Sequence, residues 1–101
     1  MPATIEIKGN VAIISLAGKL DFSNQKDVYL AIDEALASNL SREIYVDLAN
    51  VVFMDSSVIQ ALLWLQEKAT AAVKLVVLLH CSDTLREIFT IGGFDNIFTI
   101  R

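Results

Sequence analysis

An Asp-Ser-Ser triplet, Asp55-Ser56-Ser57, stands between an apolar strand-like segment and a long apolar helix-like segment. Aspartate and serine are favoured at helix N-caps because their side-chain oxygens accept hydrogen bonds from the unpaired N–H groups of the first turn. A serine hydroxyl at such an end also points outward, where a phosphoryl group would meet the positive end of the helix dipole. The triplet is therefore interpreted either as a plain cap, with Ser56 at the N-cap, or as a site of reversible phosphorylation.

Few other residues could support catalysis or bind a metal. His80, the only histidine, adjoins Cys81, the only cysteine, but neighbours at a strand end usually point apart and no third orienting group is evident. Asp21 and Asp55 both precede predicted helices, where loops of a parallel sheet converge on one edge. No histidine or third acid supports these two carboxylates, so we expect them to cap helices. The sequence predicts neither an enzyme nor a cofactor or metal site.

Composition narrows the function classes further. The chain has 101 residues, of which 54% are hydrophobic, and this is enough for the core of one small domain spanning residues 1–101. The net charge is -4 and the eight basic residues are scattered singly, so nucleic-acid binding is not expected. No apolar run approaches a membrane span and the first residues lack the pattern of a signal peptide. We therefore expect a cytoplasmic protein that does not insert into membranes.

Strand-like runs alternate with helix-length segments along the chain. Strands are predicted at residues 4–8, 11–16, 43–48, 75–79 and 97–100. The first helix is predicted from Ser23 or Asn24 to about Ala37, and the second from the triplet to about Ala72. The third is predicted from Thr84 to a stop at Gly92-Gly93. Gly9-Asn10 predicts a hairpin between the first two strands, and the alternation that follows predicts parallel strands with right-handed crossovers. The expected fold is an α/β domain with a mixed, mainly parallel sheet and about three to four helices.

The helix after the triplet carries more apolar surface than one sheet can cover. Ile59, Leu62 and Leu63 form a stripe that should face the sheet. A second stripe remains, and it consists of Val58, Ala61 and Leu65 with Trp64 beside them. Either another helix covers this second stripe or a partner protein does. Because tryptophan commonly anchors interfaces, we expect these four residues to be at least partly exposed and to contact a partner.

Three segments, in this order, resemble the STAS domain, and specifically the stand-alone anti-sigma factor antagonists of bacteria. They are Leu16-Ala17-Gly18-Lys19-Leu20-Asp21, the central Val46-Asp47-Leu48 to Val51-Val52-Phe53-Met54-Asp55-Ser56-Ser57, and Ile91-Gly92-Gly93-Phe94-Asp95-Asn96-Ile97-Phe98. The central segment is the most specific of the three. The resemblance covers nearly the whole chain.

The resemblance implies a phosphorylation switch. In that family an anti-sigma factor that is also a serine kinase phosphorylates the serine after the aspartate, which here is Ser56. The unmodified antagonist binds the anti-sigma factor and frees the sigma factor, whereas the phosphorylated form lets go until a phosphatase resets it. Asp21 and Asp55 would be the acids near the acceptor hydroxyl, with Ser57 and Val58 in the same contact surface. The family usually has glycine where this chain has Val58, which predicts an altered contact with the kinase.

Two functional hypotheses follow. The first is an anti-sigma factor antagonist switched by phosphorylation at Ser56. The second is a STAS scaffold that does not switch, in a larger assembly such as a lipid-transport or stress-sensing complex. Ser56 would then be only a helix cap.

Overall fold

The computed structural model describes residues 2–101, which form a five-stranded sheet with its strands in sequence order. The strands are β1 (Ala3–Lys8), β2 (Val11–Leu20), β3 (Glu43–Met54), β4 (Leu75–Leu79) and β5 (Thr99–Ile100); the helices are α1 (Gln25–Ala37), α2 (Ser56–Ala71) and α3 (Asp83–Ile91), with 3₁₀ turns at Phe22–Asn24 and Phe94–Asn96. The β1–β2 pair is antiparallel and the other three pairs are parallel. The predicted mixed α/β fold is confirmed.

The β1–β2 hairpin has a two-residue turn at Gly9-Asn10 that pairs Lys8 with Val11. Gly9 has a φ of 59°, which suits the first central position of a type II′ turn and is unfavourable for residues with a Cβ. The turn thereby fixes the register of β1 on β2.

Strands β2 and β3 are longer than the sequence predicts. The sequence predicts their ends at Leu16 and Leu48. The two strands nevertheless stay paired as far as Leu20 and Met54, across register shifts between Ser15 and Ala17 and between Gly18 and Lys19. Such irregularities let a ladder continue through a disturbed pattern. The extension brings the chain segments after β2 and β3 to one edge of the sheet.

One face of the sheet packs against the three helices and forms the core. Its buried residues include Ala12, Ile14 and Leu16 of β2, Ile44, Val46 and Leu48 of β3, and Val76 and Leu78 of β4. Helix α1 buries Val28, Ala31, Ile32 and Ala35, whose spacing of i, i+3, i+4 and i+7 is that of one helix face. In β4, Val77 is buried as well as Val76 and Leu78, so this strand, whose five residues are all apolar, is covered on both faces.

The N-cap of helix α3 lies two residues before the predicted cap at Thr84. Ser82 is the N-cap, and its hydroxyl oxygen accepts a hydrogen bond from the Leu85 N–H at 3.2 Å. The predicted stop is confirmed, because the helix ends at Ile91 and Gly93 has a φ of 78°. The predicted last strand is shorter than expected, since Phe94–Asn96 forms a 3₁₀ turn and only Thr99–Ile100 pairs with β4.

A strained residue ends α2 and gives a test of local stability. Val73 has a φ of 58°, and the hydrogen bonds from its own N–H to Thr70 and from the Lys74 N–H to Ala69 form a Schellman motif, whose left-handed residue is usually glycine. The Val73 side chain is 84% exposed and adds little packing. We expect Val73→Gly to raise the free energy of unfolding by about 1 kcal/mol in urea denaturation.

The neighbouring variant Ala72→Gly is the matched control for this prediction. Ala72 has a φ of -89°, which alanine adopts without strain, so a glycine there should destabilise the protein. Destabilisation by Val73→Gly to the same degree would show that Val73 is not strained.

Candidate functional site

The two predicted acids follow directly after neighbouring strand ends. Leu20 and Met54 are register partners at the ends of β2 and β3, and the Asp55 N–H donates to the Leu20 carbonyl oxygen at 3.0 Å. Asp21 therefore lies one residue beyond β2, and Asp55 one residue beyond β3. The predicted convergence of these two loops on one sheet edge is confirmed.

Asp21 organises the first loop. Its carboxylate accepts from the Ser23 N–H at 2.9 Å and from the Ser23 hydroxyl. The Asp21 N–H in turn donates to the Asn24 side-chain oxygen at 3.0 Å, so the two residues form a capping box. These contacts confirm the interpretation of Asp21 as a capping acid and leave its neighbour Phe22 exposed to solvent.

Asp55, and not Ser56, is the N-cap of α2. One of its oxygens accepts from the Ser57 N–H at 2.9 Å, from the Ser57 hydroxyl at 2.6 Å and from the Val58 N–H at 3.2 Å. The expectation that Ser56 caps the helix is wrong. The carboxylate offers two acceptor oxygens and takes the capping role, so Ser56 becomes the first residue of the helix itself.

The hydrogen bonds around Asp55 stabilise its charged form. The Ser57 hydroxyl lowers the pKa of Asp55, desolvation opposes this shift, and the backbone N–H groups of Val58, Ser57 and Phe22 lower it further. The Phe22 contact also links the Asp21 loop to the start of α2. A second link is the Gln25 side-chain amide, which donates to the Ser57 carbonyl oxygen at 3.5 Å.

The two serines of the triplet differ in availability. The Ser57 hydroxyl is engaged with Asp55 and its residue is partly buried, whereas Ser56 is exposed. Within residues 2–101 no group forms a hydrogen bond with the Ser56 hydroxyl. The Ser56 oxygen is therefore accessible to an enzyme that approaches this edge of the sheet, whereas the Ser57 oxygen is held by its hydrogen bond to Asp55.

The expectation that the second stripe of α2 is exposed is wrong for three of its four residues, whereas Trp64 is partly exposed as expected. Val58, Ala61 and Leu65 are each 0% exposed and belong to the core. Trp64 is half-buried, with its ring 5.3 Å from the Tyr29 ring in an edge-to-face contact. The physical reason is that α1 packs beside α2 and covers the stripe. The Val58 side chain points into the core.

The exposed apolar residues near the triplet were missed from the sequence. Phe22 and Val52 are each 75% exposed, and Phe53 is 41% exposed with the Lys19 ammonium 5.9 Å above its ring. A phenylalanine between Asp21 and Ser23 in an otherwise polar loop was an available signal. Val52 and Phe53 lie beyond the predicted end of β3 at Leu48, so the sequence did not indicate which way their side chains face.

The His80 side chain pairs with Asp47, and among the described residues no hydrogen bond joins it to Cys81. The His80 Nδ1 lies 3.0 Å from an Asp47 carboxylate oxygen, so the imidazole is directed at β3 and not at the thiol. Partial burial opposes ionisation of Asp47, but hydrogen bonds from His80 and the Ala49 N–H outweigh it and lower its pKa. Burial raises the pKa of the Cys81 thiol, although Arg86 opposes the shift. A raised pKa disfavours the reactive thiolate.

Among residues 2–101, no three His, Cys, Asp or Glu side chains are grouped so that they could hold a metal ion. In the same residues, no helix has the length and apolar character needed to cross a membrane.

The cap at Asp55 predicts acid sensitivity of a stated sign. Its pKa is lowered on folding, so its contribution to stability is complete at neutral pH and is lost as the pH falls below about 4. Asn also caps helices but does not titrate in this range. We expect the melting temperature of Asp55→Asn to fall less than that of wild type when the pH is lowered from about 6 to about 3.

Asp47→Asn is the control for this pH measurement, because Asp47 also has a lowered pKa. This variant should keep the acid sensitivity that Asp55 contributes. If wild type and Asp55→Asn lose stability in parallel as the pH falls, the cap does not act through the carboxylate charge.

Known proteins share this fold. A STAS-domain containing protein of Pseudomonas aeruginosa (strain UCBPP-PA14) is 30% identical over 92 residues, which cover 91% of this chain and 89% of that protein. The solved structure of unphosphorylated SpoIIAA, an anti-sigma factor antagonist, has a TM-score of 0.76 at 23% identity over 98% of this chain and 86% of its own. The phosphorylated form of Bacillus SpoIIAA gives the same TM-score and identity, over 98% of this chain and 90% of its own.

A solved sulfate transporter family protein of Wolinella succinogenes is also similar, with a TM-score of 0.77 at 19% identity over 90% of this chain and 73% of its own. At such identities the structural similarities establish the fold alone. The STAS domain family model matches residues 2–101. That match spans every residue that the structure describes. The protein therefore belongs to the STAS domain family.

Proposed function

We propose that this protein is an anti-sigma factor antagonist that is switched by phosphorylation of Ser56. The unphosphorylated form binds an anti-sigma factor with serine kinase activity and so releases the sigma factor, an interaction that would take place in the cytoplasm. The kinase transfers the γ-phosphoryl group of ATP to the Ser56 oxygen, which loses its proton, and ADP leaves. A phosphoserine phosphatase hydrolyses the ester and restores binding. In this proposal the protein is the substrate of the kinase and the binding partner of the anti-sigma factor, and it is not itself an enzyme.

The observation that carries this proposal is the difference between the two serines. The Ser57 hydroxyl donates a hydrogen bond to the Asp55 carboxylate at 2.6 Å and supports the cap. The Ser56 hydroxyl is exposed and has no hydrogen-bond partner among residues 2–101. A residue serving only to cap the helix would resemble Ser57 in its contacts. Ser56 instead has the accessibility that a phosphoacceptor requires.

The surroundings of Ser56 favour an effect on binding and not on folding. A phosphate there adds about -1.5 to -2 charges next to Asp55, and repulsion between them is offset by the positive end of α2. The capping bonds run from Asp55 to Ser57 and Val58 and do not involve Ser56. The fold relative SpoIIAA has been solved in both phosphorylated and unphosphorylated forms, which is consistent with a domain that keeps its fold.

The partner surface in this proposal is the apolar collar, defined as Phe22, Val52 and Phe53. These residues lie on the loop after β2 and at the end of β3, next to the start of α2. Exposed aromatic residues beside a recognition site are common interface anchors. The collar takes the place of the buried α2 stripe as the surface that a kinase would contact.

Truncation of the collar tests this part of the proposal. Phe22→Ala should weaken binding of the anti-sigma factor by roughly tenfold or more, because a central aromatic anchor often contributes about 2 kcal/mol. The stability of the domain should hardly change, since Phe22 is 75% exposed. Ile91→Ala is the matched control, because Ile91 is 79% exposed but lies at the end of α3. Equal losses of affinity in both variants would rule out the collar as the contact.

The acceptor assignment is tested by incubating wild type, Ser56→Ala and Ser57→Ala with the cognate kinase and labelled ATP. We expect label on wild type and on Ser57→Ala, and none on Ser56→Ala. Label on Ser56→Ala but not on Ser57→Ala would overturn the assignment. The test should be run alongside circular dichroism, because Ser57→Ala removes a hydroxyl that donates to the Asp55 cap.

The second candidate function is a STAS scaffold that does not switch. It is favoured by the similarity of the fold to a sulfate transporter family protein, since the same fold also occurs outside antagonists. In that case the Ser56 hydroxyl would have no role beyond starting the helix. Absence of labelling together with equal partner affinity of Ser56→Ala, Ser56→Asp and wild type would favour the scaffold.

A further inference from the structure

A groove lies between the outer strand β1 and helix α1, away from the Asp-Ser-Ser turn. Its volume is about 180 Å³, and it is lined by Ala3, Thr4 and Ile5 of β1 and by Asp27, Leu30, Ala31 and Glu34 of α1. Leu30 is 57% exposed, although it projects from a helix that packs on the core. The groove thus combines a sheet edge with a partly apolar helix flank.

The edge of β1 offers unpaired backbone groups to this groove. In the antiparallel ladder with β2, the Pro2 carbonyl oxygen accepts from the Ala17 N–H at 2.9 Å, and Thr4 and Ser15 are register partners. Hydrogen-bonded positions alternate along an antiparallel strand. The N–H and C=O groups of Ala3, Ile5 and Ile7 therefore point away from β2 and are available to another strand.

Two acids flank the apolar part of the groove. Asp27 and Glu34 are seven residues apart on α1, which places them about 10.5 Å apart along the helix axis, with Leu30 between them. Among residues 2–101 neither acid forms an ion pair. The groove consequently presents negative charge at both ends and an apolar side chain in the middle.

We propose that β1 and α1 bind an extended segment of a partner protein by strand addition, with an apolar side chain between two Lys or Arg residues. Side chains on one face of a strand repeat every second residue, so positions i and i+4 are about 13.6 Å apart. The flexible stems of lysine or arginine can reach carboxylates whose axial separation is about 10.5 Å. The segment that fits has the pattern basic-x-apolar-x-basic, and its backbone pairs with Ala3, Ile5 and Ile7.

A second copy of this chain fits the groove less well. Symmetric pairing of two β1 strands would bring the Asp27 and Glu34 carboxylates of both copies to the same side of the joined sheet, where they repel each other. A net charge of -4 for the chain adds to this repulsion. Charge complementarity therefore selects a basic segment from a different protein.

The probe for this proposal is a fluorescein-labelled peptide, Thr-Lys-Thr-Leu-Thr-Lys-Thr, titrated with the full chain at low ionic strength by anisotropy. The variant Asp27→Asn/Glu34→Gln should bind it about five-fold more weakly, because two partly solvated ion pairs are lost. The control Asp33→Asn removes an exposed charge from the same helix outside the groove and should bind like wild type. Amide shifts in NMR spectra should centre on Ala3, Ile5 and Ile7.

Four results would overturn the proposal. They are equal binding of a peptide with Glu in place of Lys, equal affinities of the double variant and Asp33→Asn, amide shifts confined to other strands, and a concentration-dependent dimer that is paired through β1 and that the peptide does not dissociate. The last result would assign the β1 edge to a second copy of the chain. None of these measurements involves Ser56, so the proposal stands or fails separately from the phosphorylation switch.

Discussion

Replacing Trp64 with alanine is expected to lower the free energy of unfolding by about 3 kcal/mol. The indole is half-buried, packs edge-to-face on Tyr29 at 5.3 Å and joins α2 to α1. Removing it leaves a cavity between the two helices and breaks the aromatic contact. For a domain with an ordinary stability of about 5–15 kcal/mol, this is a large fraction of the total. Urea denaturation measures the change directly.

Gln60→Ala is the matched control for Trp64→Ala, because Gln60 is an exposed residue of the same helix. Its stability should change by less than about 0.5 kcal/mol. The affinity of Trp64→Ala for the anti-sigma factor should stay close to wild type at temperatures where the variant is folded. A small loss of stability combined with a large loss of affinity would restore Trp64 as a docking residue and contradict its place in the core.

Replacing Ser56 with aspartate is expected to weaken binding of the anti-sigma factor by roughly tenfold or more, whereas Ser56→Ala should bind like the unphosphorylated protein. The aspartate adds one negative charge beside Asp55 at the edge where the collar would meet the partner. It carries less charge and fewer acceptor oxygens than a phosphate, so the loss should be smaller than that caused by phosphorylation. Isothermal titration with the purified anti-sigma factor measures both affinities.

The same two variants should leave the fold unchanged. Asp55 provides the capping bonds, so Ser56→Ala removes no hydrogen bond of the helix and should alter stability by less than about 0.5 kcal/mol. Ser56→Asp places an acid in the first turn, where the helix dipole favours it. If Ser56→Ala melted far below wild type, the Ser56 hydroxyl would have to make a stabilising contact. This would contradict its exposed and unpaired state.

Much of the fold could be predicted from the sequence because local rules and tertiary packing agree there. The period of apolar residues in α1, the Gly9-Asn10 turn and the five apolar residues of β4 each indicate one structure. The ends of β2 and β3 could not be placed, since their last residues depend on pairing with each other. Such pairing joins residues more than thirty positions apart, which a local pattern does not report.

The candidate site was only partly predictable for a related reason. Helix caps are local, so the roles of Asp21 and Asp55 could be anticipated within a residue or two. Whether the second stripe of α2 faces solvent depends on where α1 packs, and both outcomes have the same sequence signature. Composition limited the hypotheses further, but it could not separate the free Ser56 hydroxyl from the engaged Ser57 hydroxyl. That difference depends on the Asp55 side chain.

The most direct test of the switch is the mass of the protein purified from its native host. We expect a second species about 80 Da heavier than the unmodified chain. Trypsin should release residues 43–68 as one peptide, in which Ser56, Ser57 and Tyr45 are the only hydroxyl-bearing side chains. Fragmentation of that peptide should place the phosphate on Ser56, and a host strain carrying Ser56→Ala should lack the heavier species. A heavier species that persists in that strain, or a phosphate located on Ser57 or Tyr45, would contradict the account.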